Sequence, residues 1–233
     1  MNSLMVMLRQ DVKFQIRHGF YLVYAVITLM YIALLSFIPE KAKPMTTVII
    51  VFSDPSALGY FFIGGIILLE KGQNIYDNLF VTPLQIRDYL LSKVVSLGLL
   101  SVLTASVIHI AIFGLYHITF LFILGVFLTS VFFTLIGIGV AVRCKSLNGF
   151  FLMSPFYALI FCVPIVGFVQ LYDSPLYYLL PTQASLLLIN STFSPVGVGE
   201  MVLLLTSIVV WLGIAFLWAQ HSFHTQVVLK VGG

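Results

Sequence analysis

Ionisable side chains are scarce in this chain, and about a third of the charged ones fall in one internal stretch, "LLEKGQNIYDNLFVTPLQIRDYLLSK", residues 68–93. Six of the nineteen charged residues lie there: Glu70, Lys71, Asp77, Arg87, Asp88 and Lys93. A carboxylate such as Glu70 at the edge of apolar sequence is costly unless it is hydrated or paired. Two other ionisable groups sit inside apolar runs. Asp54 could cap a broken helix or face a pathway, and His109 could bond a neighbouring helix or serve a ligand or a proton. Enzyme chemistry on lipid would need a catalytic cluster near the headgroups. No HExxH, no paired carboxylates on one helix face and no Ser-His-Asp arrangement can be assembled, and His221 with His224 is only an i,i+3 pair.

The elements that must position these groups follow from composition. Of 233 residues, 61% are hydrophobic and 8% charged, with a mean hydropathy of +1.12. Soluble domains carry about 25% charged residues, so this chain cannot cover itself with a polar surface. Apolar runs of about 20 residues, each one bilayer crossing as a helix, recur along it. They do not alternate, which excludes a β-barrel. The expected fold is an all-α integral membrane protein with six transmembrane helices. The spans are predicted at 19–38, 55–70, 94–115, 118–142, 150–170 and 201–221. Residues 47–53 extend the second outward, with a break at Asp54, where Asp54 suits an N-cap and Pro55 the first helical position. One transmembrane domain, 1–233, is expected. Cys144 and Cys162 read as reduced structural thiols.

Orientation follows from the basic residues. With the N-terminus in the cytoplasm, Arg9, Lys13, Arg17, Lys71, Arg87, Lys93, Arg143, Lys145 and Lys230 lie inside, against Lys41 and Lys43 outside. Both termini are then cytoplasmic. The net charge of +3 is explained by this topology and does not point to nucleic acid. Residues 1–18 read as an amphipathic helix rather than a signal peptide: Leu4, Leu8, Val12 and Ile16 form one stripe, Arg9, Lys13 and Arg17 the neighbouring one. Such a helix suits the inner-leaflet headgroups and anionic lipid. The outer loop 171–200 contains short apolar runs split by Pro175, Pro181 and Pro195 and predicts short interfacial or re-entrant helices. The "IGIGVA" run with Gly137 and Gly139, and the pair Gly64-Gly65, predict close helix contacts, one of them a candidate dimer seam.

Within the polar stretch, Gly72 can end the second span. Ile75 with Leu79, and Tyr76 with Phe80, then form an apolar and aromatic face on a short helix. Thr82, Pro83 and Gln85 make a capping box that opens a second helix, with Lys93 at the membrane boundary. A short helix joined to two spans is either an ordinary connection or a receiver of force from a partner.

This stretch resembles the signature of type-2 ATP-binding-cassette (ABC) transporter permeases, in which a Glu ends the second span, followed by a basic residue, Gly and usually Thr. A short helix, a Thr-Pro step and a Lys opening the third span come next. Glu70, Lys71, Gly72, Leu79, Thr82, Pro83 and Lys93 match, and Gln73 stands where Thr is usual. Within that family, "FSDPSALGYFFIGG" and "RHGFYLVYA" are similar to the fluoroquinolone-exporter-like permeases. The resemblance implies an exporter subunit that moves a hydrophobic or amphipathic small molecule (drug, peptide or lipid-like) and has no enzymatic activity of its own. No GxxxxGK[ST] motif occurs. ATP and Mg are then bound by a separate P-loop ATPase subunit, with no cofactor in this chain. A second permease copy or a paralogue completes the pathway. By resemblance, Gln73, Asn74, Ile75, Tyr76, Asp77, Asn78, Leu79 and Phe80 couple to the ATPase within the segment 71–93, with Tyr76 and Phe80 as the apolar anchor. Glu70, Gly72, Thr82, Pro83 and Lys93 form the hinge, with Glu70 reaching the N-terminal helix through Arg9, Lys13 or Arg17. An ion-coupled carrier would show charges deep in several spans and an internal repeat, and neither is found.

Overall fold

Backbone placed in lipid must satisfy its own hydrogen bonds, and the described residues do so as helices, with no strand among them. The computed structural model describes residues 3–53, 58–73, 75–76 and 85–228. The helices are α1 (Ser3–Arg17), α2 (Phe20–Ser36), α3 (Lys43–Val51), α4 (Leu58–Gly72), α5 (Ile86–Phe113), α6 (Phe120–Ala141), α7 (Leu147–Cys162), α8 (Pro164–Phe168), α9 (Pro181–Asn190) and α10 (Val198–Phe223). Short 3₁₀ turns lie at Leu115–His117 and Pro175–Leu179, and α10 continues as a π-helical turn, His224–Val228.

Among these, α5, α6 and α10 are long and apolar enough to cross a bilayer, and α1 with α2, bent by 64°, makes a fourth candidate. The bend falls at Gly19, whose φ of +76° is a conformation that a side chain would strain. The other expected spans fall on shorter pieces. α3 and α4 lie on either side of residues 54–57, so the break expected at Asp54 is outside the described residues. The fifth span divides at Val163, where Pro164 cannot donate a backbone hydrogen bond to α7. α5 begins at Ile86 with Gln85 as N-cap, three residues later than the Pro83 start expected from a Thr82 cap. Gln85 Oε1 accepts from Arg87 Nη2 at 3.0 Å and so does not cap the backbone; Thr82 and Pro83 lie outside the described residues.

The bundle is built around α6. Of the apolar core of α6, 67% is buried, against 17% for α10, so α6 is the central post and α10 an outer helix. Close approach to α6 depends on glycine. A Cβ on Gly137 would meet the Tyr60 backbone and Ile63; one on Gly139 would meet the Trp218 ring; one on Gly125 would meet Leu188. Gly64 of α4 likewise faces the ring of Phe150. Gly64, Gly137 and Gly139 are therefore filled by this chain's own side chains, which corrects their reading as a seam with a second copy. Loop 171–200 does contain short helices, and α9 is wedged into the bundle with Ala184, Leu186, Leu188 and Ile189 buried. It is pinned by Thr182 Oγ1 donating to the Phe161 carbonyl and by the Thr119–Ser191 hydroxyl pair at 3.0 Å. The outward faces are apolar: Leu22, Val26 and Leu29 on α2, Phe151, Leu152 and Phe156 on α7, and Leu203 and Val210 on α10 are exposed. Such a surface suits hydrocarbon rather than water.

The two adjacent glycines of α4 separate packing from propensity. A Cβ on Gly64 would lie 2.3 Å from Phe150, whereas Gly65 has nothing within 4 Å. Gly64→Ala should lower stability by about 1–3 kcal/mol, as overpacking does. Gly65→Ala should leave it unchanged or raised. Thermal unfolding in detergent checks the pair, and equal behaviour would refute this packing.

Candidate functional site

At the end of the bundle that carries α1, three helices meet around one ammonium group. Lys93, on the first turns of α5, is 3% exposed. Its Nζ donates to Glu70 Oε1 at 2.6 Å and to Asp11 Oδ1 at 2.6 Å. Asp11 and Glu70 are themselves only 8% and 7% exposed. Taking such charges out of water costs several kcal/mol per ion, recovered only with close pairing and further hydrogen bonds. Those bonds are present. Tyr89 Oη donates to Glu70 Oε2 at 2.5 Å. Tyr76 Oη lies 3.2 Å from both Glu70 Oε2 and the Ile67 carbonyl and has one proton to share between them. Burial, with the Glu70 carboxylate beside it, pushes the Tyr76 phenol well above its ordinary range, so it stays a donor. The Lys93 ammonium also sits 5.2 Å from the Tyr89 ring centre.

Each member is placed by local sequence. Met7, Asp11 and Gln15 recur every four residues, so one face of α1 turns all three inward, and all three are buried. Gln15 Nε2 donates to Ser96 Oγ at 2.9 Å, a second tie between α1 and α5. Glu70 is in the last turn of α4, which ends at Gly72 as expected. The next residue, Lys71, points the other way. Its Nζ donates to the carbonyls of Val142 and Cys144 at 3.3 and 3.2 Å, capping the C-terminal end of α6. The Glu-Lys step thus fastens the end of α4 to α1 and α5 on one side and to the α6–α7 turn on the other. Beside the ion cluster, Met7, Gln10, Phe14 and Ile75 line a cavity of ≈ 160 Å³. Asp11 Oδ2 and Gln15 Oε1 have no hydrogen-bond partner among the described residues.

Two expectations are corrected here, and a third residue gains its partners. Tyr76 is not an exposed anchor: it is 3% exposed and packs edge-on against Phe223 of α10 and Tyr89, because its hydroxyl reaches Glu70. Lys93, expected at the membrane boundary, is a buried ion-pair partner. Glu70 does reach the N-terminal helix, but through Lys93 to Asp11; Arg9, Lys13 and Arg17 are exposed. Gln73 is an exposed turn residue whose N–H bonds the Leu69 carbonyl, and Ile75 is half-buried. Asn74, Asp77, Asn78, Leu79, Phe80 and Asp54 lie outside the described residues. His109 is fully buried at the other end of α5 in a box of Phe113, Phe122 and Phe193. Its ring nitrogens have no hydrogen-bond partner among the described residues. His221 and His224 are exposed, and no group of three His, Cys, Asp or Glu able to hold a metal forms among the described residues. Asp11 and Tyr89 were not read from sequence as site residues. The signal for Asp11 was the four-residue step Met7, Asp11, Gln15, hidden beside the more obvious apolar stripe.

Among the described residues, a helical bundle with an apolar outer face, three or four bilayer-length helices and a buried ion cluster at its end has the build of a multi-pass membrane protein. The chain belongs to the fluoroquinolones export permease protein family, whose model matches residues 2–231. Relatives named fluoroquinolones export permease protein occur in two Mycobacterium tuberculosis strains, CDC 1551 / Oshkosh and ATCC 25618 / H37Rv. Each is 28% identical over 201 residues, covering 85% of this chain and 84% of the relative.

Removing the cation should expose the energetics of the cluster. Lys93→Met leaves two buried carboxylates unpaired and should cost about 3–5 kcal/mol. Adding Asp11→Asn and Glu70→Gln to Lys93→Met should recover a large part of that loss. Unfolding of the variants in mild detergent reads both, and a Lys93→Met protein as stable as the parent would show the pairing to be incidental.

Proposed function

We propose that this chain is the permease subunit of an ATP-driven ABC exporter, with hydrolysis performed by a separate P-loop ATPase subunit. The observation that carries this reading is the Asp11–Lys93–Glu70 cluster, which ties α1, α4 and α5 together at the two ends of the segment 71–85. A push on that segment reaches three helices at once, because none can move without separating buried charges. In this reading the cluster is the hinge, with Gly72, Thr82 and Pro83 around it. Residues 73–81 seat in the ATPase, with Leu79 and Phe80 as the apolar contact. Tyr76 belongs to the hinge, not to the contact. The chain crosses the cytoplasmic membrane of a prokaryote six times as a single domain, using α2, α3–α4, α5, α6, α7–α8 and α10. α1 lies in the inner headgroups and both termini are cytoplasmic. A second copy or a paralogue completes the pathway, and the cargo is a hydrophobic or amphipathic small molecule of the fluoroquinolone kind for which the relatives are named.

Purification of the tagged protein in gentle detergent from its native host, with mass spectrometry of what accompanies it, tests the partnership. A P-loop ATPase should be recovered one-to-one and lost from the Leu79→Ala/Phe80→Ala variant. Recovery of the permease alone under every mild condition would defeat the proposal. In reconstituted vesicles containing the ATPase, Glu70→Gln should reduce ATP-coupled export several-fold while the ATPase stays bound. Unchanged export would remove the hinge role.

A further inference from the structure

A cavity rich in aromatic side chains lies away from the hinge, between α6, α7 and α10. It measures ≈ 340 Å³ and is walled by Phe132, Tyr157, Phe161, Trp211 and Trp218, with Arg143 at the end nearer α1. A volume of this size is at the lower end for small-molecule sites, which are mostly apolar with a few placed polar groups. Both tryptophans of the chain are on its wall. A second cavity of ≈ 270 Å³ shares Arg143 and Tyr157 and leads to Cys144 and Gly149 at the α6–α7 turn.

The walls are set in place rather than loosely packed. Trp211 Nε1 donates to the Leu179 carbonyl at 2.8 Å, and its ring stands edge-on to Phe132 and Phe161. Trp218 lies against α6 in space that only Gly139 leaves open. The Arg143 guanidinium is stacked on Trp218 at 4.6 Å from the ring centre, and Nη1 donates to the Gly139 carbonyl at 3.2 Å. No carboxylate pairs with Arg143 among the described residues, and none lines the cavity. A guanidinium carries five donors, so one carbonyl leaves most of them for a ligand. Its planar fork matches a carboxylate with two parallel bonds. Of the residues on α7, only Phe150 and Ser154 are buried, so this wall stands nearly free of the bundle and the cleft is open sideways.

We propose that this cleft is a binding site for a planar aromatic anion, with its rings among the five aromatic side chains and its acidic group on Arg143. The proposal rests on the export-permease reading in making this ligand the class of cargo; the binding itself needs no ATPase.

The test uses the full-length protein in nanodiscs of neutral phosphatidylcholine. Anthracene-9-carboxylate, whose absorption overlaps tryptophan emission, is titrated in while emission from Trp211 and Trp218 is followed. The quenching should saturate. Arg143→Gln should weaken it about tenfold, the loss expected for a charge-assisted hydrogen bond. The neutral analogue 9-anthracenemethanol should bind equally to the parent and to Arg143→Gln. Ala215→Phe, which places bulk on the wall, should weaken both probes and does not touch the guanidinium. Linear quenching that is the same in every variant would mean partition into lipid and would overturn the site. Competitive displacement of the probe by phosphatidylglycerol in the nanodisc at ordinary membrane content would make the cleft a lipid site and overturn it as well. If the probe binds as expected but no ATPase partner is found, the cleft stands and the exporter reading falls. If ATP-coupled export proceeds while Arg143→Gln changes neither binding nor export of the probe, the reverse holds.

Discussion

Lys93 is an ammonium withdrawn from water, and its neighbourhood is arranged around that fact. An isolated charge in that position would neutralise itself or draw water in; two carboxylates within hydrogen-bond distance make the charged form tenable. The carboxylates come from α1 and α4 and the ammonium from α5, so the electrostatic requirement becomes a mechanical one. Helices far apart in the sequence must hold register closely enough to keep those contacts. Tyr89 and Tyr76 complete the shell on Glu70, and the Tyr76 ring carries the linkage to Phe223 at the end of α10. Lys71 extends it to the end of α6. The same short sequence therefore organises one whole end of the bundle.

The rest of the molecule is held by a different means. Apolar side chains gain little by leaving lipid for one another, so helices in a bilayer associate through close fit and interhelical hydrogen bonds. α6 meets this demand with glycines that admit the neighbouring backbone or an aromatic ring, and with hydroxyls such as Ser130, paired to Ser101 of α5 at 2.9 Å. Where the fit is incomplete, between α6, α7 and α10, aromatic rings leave open space with a single cation at its end. The open space is bounded by fixed rings, with Trp218 seated against Gly139 and Trp211 bonded to the Leu179 carbonyl.

Reading from sequence marked out the residues whose position is conspicuous within a single segment. Glu70 stood out as a carboxylate at the end of an apolar run, Gly72 as a helix terminator, and Lys93 as the one basic residue at the start of the next run. It failed where the partner is distant. Asp11 lies 82 residues from Lys93, and nothing in the spacing of α1 says which of its faces meets α5. Its apolar stripe, Leu4 to Ile16, is the more conspicuous, yet Ile16 is exposed and the face through Met7, Asp11 and Gln15 is the buried one. For Tyr76 the periodicity was visible but its direction was not: an aromatic ring beside a carboxylate can point out as an anchor or in as a hydrogen-bond donor, and the choice depended on where Tyr89 and Phe223 stood.

By itself the sequence determined that this is a helical membrane protein, because length and hydropathy of each run act within a single segment and need no neighbour. It also determined where the polar interruption lies and that α4 ends at Gly72, whereas α5 begins at Ile86 rather than at the expected Pro83. Tertiary structure decided which polar groups become partners, which glycines admit a neighbour, and where space is left between helices. Those outcomes depend on the relative rotation and approach of helices, set by the sum of many weak contacts and a few buried charges, and no local pattern encodes that sum.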